Sequence, residues 1–258
     1  MSQKVRKVFI VLLCLIILGC MGYLVWHYMS ASEGESSYER AKEVADKKTE
    51  PEEQQPEVEE PEAEVQYVNF DALQAVNPDV YAWIEIAGTN IDYPIVQSQT
   101  NQEFYLNHTW EGNYAEQGAI FTQTYNSRDF TDFNTVIYGH RMGDGNVSMF
   151  HELRNYMDAQ YLKTHQDIVI YTRGQKRVYR VFAAVVYDDR LIPAAFDFMK
   201  EEERQAFLES VYASRDMRNQ FADNVEVTAE DRILTLSTCL KSESRNRFLV
   251  EAVLISEE

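Results

Sequence analysis

The chain is short of cysteine, with three in 258 residues, too few for a disulfide-built scaffold. It is short of glycine and proline, with ten and six, which excludes a collagen-like or proline-rich fibre. It is also short of basic charge: 24 Lys and Arg stand against 42 Asp and Glu, for a net charge of -18. Without a basic footprint for phosphates, nucleic acid is not the partner. What is present is a composition 45% hydrophobic and 12% aromatic, enough for a sizeable core and incompatible with disorder throughout.

The charge falls into three blocks. Residues 1–30 carry Lys4, Arg6 and Lys7 and no acid. Val8 to Trp26 is a run of 19 residues without a charge, about the length that spans hydrocarbon. With basic residues on its N-terminal side, it reads as a single-pass anchor with the N-terminus cytoplasmic and the rest exported. A cleaved signal peptide is the rival, but its apolar region is shorter, and Ser30-Ala31-Ser32 is a poor cleavage site. The second block, 31–66, holds a net charge of -9 over residues 31–65, plus Pro51, Pro56 and Pro61. It reads as a disordered acidic linker that acts as a spacer, with transient helix at most from Tyr38 to Lys48. The third block, 67–258, is the globular domain.

That domain alternates apolar runs with polar turns. A short helix is expected after Asn69, a natural cap. Strands are expected at Val80–Ile86, Ile91–Val96, Ala119–Thr122, Thr135–Tyr138, Ile168–Thr172, Arg177–Tyr187, Ile233–Thr238 and Phe248–Ile255. Pro94 marks the second of these as an edge or a bend. About eight strands predict a closed or nearly closed β-barrel. Ser148–Asn155 reads as a short helix, and Phe196–Ser214 as one long helix before the last two strands.

Chemistry has few carriers here. Cys14 and Cys20 lie in the apolar run, which leaves Cys239 as the one thiol of the exported domain. A lone exported thiol is open to oxidation and asks for a reason. A buried, inert cysteine is the bland reading. Cys239 ends an apolar strand, however, and a strand end is a rigid mount with solvent access. A thiol nucleophile needs a proton-transfer partner, usually His. His108, His151 and His165 sit among polar neighbours and read as ordinary packing or surface residues, whereas His140 ends a strand. An oxyanion needs donors. Arg245 and Arg247 lie just before the last strand, and Arg247, immediately next to it, is the better placed.

Tyr138-Gly139-His140, Leu236-Ser237-Thr238-Cys239 and Asn246-Arg247-Phe248 together resemble the sortases, the membrane-anchored cysteine transpeptidases of Gram-positive bacteria, and more narrowly class B. Trp83-Ile84-Glu85-Ile86, the segment Gly88 to Val96, and Gly118-Ala119-Ile120-Phe121 support the likeness, which covers essentially all of 67–258. The resemblance implies an eight-stranded sortase barrel and a thioacyl mechanism. In it Cys239 attacks a Thr–Gly-like bond in the C-terminal sorting signal of a secreted protein. His140 is acid and then base, and Arg247 positions substrate and steadies the oxyanion. Ser237 and Thr238 would line the substrate groove. The acceptor would be an amine of a peptidoglycan precursor of the lipid II type, or a pilin lysine. No metal or other cofactor is implied. Two other readings stay open at this point: a cysteine hydrolase with the same residues, and a non-catalytic cell-wall binding module.

Overall fold

The chain begins in a helix, α1 (Gln3–Ala45), and resumes through α2 (Phe70–Val76). Asn69 caps α2, its side-chain oxygen accepting from the Ala72 amide at 3.1 Å; this satisfies one of the free amides of the first turn. The computed structural model describes residues 3–46, 67–143, 145–240 and 243–258. Nine strands follow α2: β1 (Val80–Glu85), β2 (Asp92–Val96), β3 (Ile120–Phe121), β4 (Asn134–Tyr138), β5 (Asp167–Thr172), β6 (Gln175–Asp188), β7 (Gln220–Phe221), β8 (Ile233–Leu240) and β9 (Glu243–Glu257). Three helices are interspersed: α3 (Ala159–Thr164), α4 (Ile192–Ala195) and α5 (Glu201–Ala213).

The hydrogen-bonded order is β5-β1-β2-β3-β4-β8-β9-β6, and β6 pairs back onto β5. Eight strands therefore close a ring with no free edge, the barrel expected from the sequence. The two-residue β7 adds to β6 outside the ring. The pairs β2–β3 and β4–β8 are parallel.

The period of two along β8 and β9 divides their side chains between two cores. Leu234, Leu236, Val250 and Ala252 face the barrel interior with Ile84, Ile95, Ile137 and Ile170. Ile233, Leu249 and Val253 face outward and are covered by Phe207, Leu208 and Val211 of α5. These strands are buried on both faces, which makes them a stiff mount for what stands at their ends.

Several expectations are corrected. Pro94 lies in an interior strand, not at an edge. β3 pairs with β2 only at Ile95 and Val96, so the ring nitrogen of Pro94 meets no partner strand there. The long helix of 196–214 is shorter: α5 starts at Glu201, and Phe196 already ends α4. Glu201, Glu202 and Glu203 fill the first turn of α5, where the helix dipole favours acids. Phe196 and Phe198 instead stack on each other and edge onto Phe207. The short helix near 148–155 is a 3-10 turn over His151–Met157.

The acidic segment is corrected as well. Helix α1 continues unbroken through its first part, and Ser37, Tyr38, Ala41 and Ala45 are buried. Trp110 Nε1 donates to the Ser37 carbonyl at 2.8 Å, and Arg40 holds Glu111 by two bonds of 3.0 and 2.6 Å. The Asn69 amide donates to the Ala45 carbonyl at 2.9 Å, so the end of α1 and the start of α2 meet. Residues 47–66, the rest of the expected linker, lie outside the described residues. Among the described residues no helix is long and apolar enough to cross a membrane. The uncharged run Val8–Trp26 forms part of α1, with Leu12, Leu13, Leu15, Ile16 and Leu24 exposed.

One ionisable side chain is sealed on the outward face of β9, between Leu249 and Val253 in the row. Glu251 is fully buried, and burial pushes its carboxyl from an ordinary 4.5 up to about 8; desolvation penalises the anion. The geometry agrees. Thr235 Oγ1 lies 2.7 Å from Glu251 Oε2 and 2.9 Å from Asn134 Oδ1. One hydroxyl proton serves one acceptor, so a protonated Glu251 donates to Thr235, and Thr235 donates to Asn134. The folded chain then keeps a proton that the unfolded chain releases. This contribution to stability is complete below 4.5 and is lost as pH rises to about 8, with a slope of roughly 1.4 kcal/mol per pH unit between. Glu251→Gln keeps a donor toward Thr235 and has no proton to lose. Melting temperatures from pH 5 to 8 should fall more steeply for the native chain than for the variant; parallel curves would refute the neutral carboxyl.

Candidate active site

Register alone brings three residues into one row. Strands β4 and β8 run parallel with Tyr138 opposite Ser237, so His140 and Cys239 each stand two residues beyond a matched pair. Strands β8 and β9 run antiparallel with Cys239 opposite Arg247. Directly opposed residues share a face of the sheet, with Cβ atoms about 5 Å apart. Cys239 is therefore flanked by His140 on one neighbouring strand and Arg247 on the other. The thiol is exposed, and His140 and Arg247 are half-buried. All three line one cleft of about 210 Å³.

The turn carrying His140 is tightly specified. Gly139 donates its amide to the Ser237 carbonyl at 3.2 Å. A Cβ at Gly139 would stand 2.6 Å from both Ile120 Cδ1 and Phe150 Cδ2, so no larger residue fits. His140 Nε2 lies 2.8 Å from the Leu106 carbonyl. A carbonyl oxygen only accepts, so Nε2 carries the proton and Nδ1 is left to exchange one.

The turn before Arg247 is braced by charge. Arg218 pairs with Asp216 at 2.8 Å and with Glu243 at 2.7 Å. The first pairing holds the Asp216 carboxyl down to about 2. Glu243 also accepts from Asn246 Nδ2 at 2.9 Å, and Arg247 Nη1 donates to the Asn246 carbonyl at 3.0 Å. On the cleft's other flank Arg190 pairs with Asp188 and lies over the rings of Tyr187 and Phe196.

Ser237 and Thr238 also line the cleft, but both are almost wholly buried, and Thr238 Oγ1 has no hydrogen-bond partner among the described residues. The remaining walls are Leu106, Phe121, Tyr138 and Leu191, with Glu103 and Asp189 as acids. The other histidines stand elsewhere: His108 stacks on Phe104, His165 on Tyr161, and His151 bonds the Met142 carbonyl through Nδ1. Sequence reasoning missed the Asp216–Arg218–Glu243 brace and the Leu106 carbonyl. The first joins residues far apart in the chain, and the second is a backbone atom without a side-chain signature.

A thiol between an imidazole and a guanidinium, at the ends of three adjacent strands of a closed barrel, is an arrangement suited to acyl transfer. The sortase-domain family model matches residues 84–255. The chain belongs to the sortase family. It is 35% identical over 193 residues to sortase B of Listeria monocytogenes, covering 72% of this chain and 73% of that one. Among solved structures, sortase B of Bacillus anthracis in complex with AAEK1 superposes with a TM-score of 0.71 at 29% identity, over 89% of this chain and 99% of that one. A Staphylococcus aureus sortase B–substrate complex superposes with a TM-score of 0.63 at 32% identity, over 72% of this chain and 84% of that one. As a sortase of the B type, the chain is a cysteine transpeptidase, and a purely binding role for the domain is set aside.

Proposed function

We propose that this sortase cleaves the C-terminal sorting signal of secreted proteins at a Thr–Gly-like bond and passes the acyl group to an amine. The observation that carries the reading is the row His140–Cys239–Arg247 across β4, β8 and β9. The Cys239 thiolate adds to the threonine carbonyl carbon. Arg247 donates to the oxyanion through charge-assisted bonds. The C–N bond breaks, and His140 gives its proton to the departing amine, leaving a thioester. An incoming amine loses a proton to His140 and attacks the thioester, and the C–S bond breaks to restore the thiolate. Ser237 and Thr238 shape the groove beside the nucleophile. The acceptor is an amine of a peptidoglycan precursor of the lipid II type, or a pilin lysine.

The same reading places residues 1–30 as a membrane anchor, the N-terminus cytoplasmic and the catalytic domain outside. Support comes from the 19 uncharged residues of Val8–Trp26 behind Lys4, Arg6 and Lys7; the side chains of Val8 and Val11 lie outside the described residues. One experiment addresses both parts. Membranes from cells expressing the full chain are incubated with Thr–Gly peptides, with and without triglycine. The activity should sediment, resist salt, dissolve in detergent, and yield a triglycine amide faster than the free acid forms. Turnover indifferent to triglycine would make the enzyme a hydrolase, and activity in the soluble fraction would dismiss the anchor.

A further inference from the structure

We infer that Tyr38, on the docked part of α1, is a positioning residue for His140, so that the helix leading from the N-terminus holds the proton carrier in place. The inference rests on His140 as the group that moves protons in the reaction proposed above.

Two backbone segments hold His140, and Tyr38 touches the support of each. The first lies on the ring side. His140 Nε2 donates to the Leu106 carbonyl at 2.8 Å. Gly118 runs close beside that carbonyl: it sits at φ +60, where a Cβ would come within 2.5 Å of the Tyr105 oxygen and 2.6 Å of the Leu106 oxygen. The Ala119 amide locks the two strands of chain together by donating to the Tyr105 carbonyl at 2.9 Å. The Tyr38 hydroxyl donates to the Gly118 carbonyl at 2.8 Å, in a buried setting. The second segment lies on the main-chain side. The Phe150 amide donates to the His140 carbonyl at 3.0 Å. Its neighbour Met149, held at φ +58, donates its amide to the Tyr93 hydroxyl at 3.0 Å. The Tyr38 ring meets the Tyr93 ring edge-on at 4.9 Å.

Burial keeps the Tyr38 hydroxyl protonated, raising it well above the ordinary tyrosine value, so it remains a donor throughout the working range of the enzyme. The helix cannot drift from this seat. The Arg40–Glu111 pair, the Trp110–Ser37 bond and the small buried faces of Ala41 and Ala45 fix its approach. A single buried side chain thus spans both supports of the imidazole without touching it.

The test is made on the full chain in detergent micelles with ¹⁵N-labelled histidine, the His140 signals being assigned by their loss in His140→Gln. Tyr38→Phe keeps the ring contact with Tyr93 and removes the bond to Gly118. The native chain should show the Nε2–H tautomer. Tyr38→Phe should show a mixture of tautomers, because the Leu106 carbonyl that selects the Nε2–H form is no longer held in place. With a cleaved peptide, kcat should fall on the order of tenfold at unchanged KM. The groups sharing the cleft with His140 (Glu103, Asp189, Arg190, Cys239 and Arg247) are the same in both proteins, so the difference belongs to Tyr38. An unchanged tautomer in Tyr38→Phe overturns the inference, whether or not any sorting peptide is cleaved. Should Tyr38→Phe fail to stay folded in micelles, Arg40→Gln takes its place with the same two outcomes for the tautomer, since it loosens the seat and keeps the hydroxyl.

Discussion

Cys239→Ala is expected to abolish covalent intermediate formation and to lower peptide cleavage by at least about a thousandfold, the scale on which a covalent route differs from what binding alone leaves. The reason is local. Cys239 is the exposed thiol at the end of β8, while the other two cysteines, Cys14 and Cys20, lie on α1; no described neighbour in the row offers a second nucleophile of comparable strength. Because the side chain is exposed, its removal leaves no core cavity, and stability should change by less than about 0.5 kcal/mol. Intact mass after mixing enzyme with a Thr–Gly peptide reads the acyl adduct directly, and a melting curve reads the fold. An adduct on the variant, or cleavage near the native rate, would remove Cys239 from the mechanism.

The second large effect is expected of a substitution that keeps the charge. Arg247→Lys should lower kcat by about a hundredfold or more, the range seen when one oxyanion donor is lost. Arg247 stands directly across from Cys239, and one arm of its fork already donates to the Asn246 carbonyl at 3.0 Å. The guanidinium is thereby steadied at the wall of the cleft that Arg247 lines. A lysine ammonium is a compact point charge on a flexible stem and cannot keep both contacts at once. Initial rates over a range of peptide concentrations separate kcat from KM. A lysine variant within a few-fold of native kcat would reduce Arg247 to a source of positive charge.

Much of this site was legible before any coordinates. The strand containing Leu234 and Leu236 ends at Cys239, and that of Val136 and Ile137 ends near His140; adjacency of the two strands and the shared register followed from the fold. What stayed hidden has physical causes. The Leu106 carbonyl that fixes the His140 tautomer is a backbone atom, which every residue carries. The Arg218 brace depends on the turn between α5 and β7 meeting the start of β9. The docking of α1 was hidden by averaging: the segment is so acidic that its composition outweighed its pattern. Yet Tyr38, Ala41 and Ala45 fall on one helical face at steps of three and four, the spacing of a packed stripe.

The tie between Ala45 and Asn69 alters what the acidic stretch can be for. A tether sets a distance when its two ends are free to separate. Here the two flanks of residues 47–66 are bonded to each other at 2.9 Å, and the reach from the apolar run to the catalytic barrel is set by the turns of α1 between them. From Trp26 to Tyr38 that reach is about 18 Å of helix at 1.5 Å per residue. Lengthening or shortening the acidic stretch leaves the Ala45–Asn69 bond and the course of α1 as they are. Inserting or deleting residues in α1 between Trp26 and Tyr38 acts differently: each one turns the barrel by about 100° about the helix axis. The distance and bearing of the barrel from the apolar run are written in the length and phase of one helix.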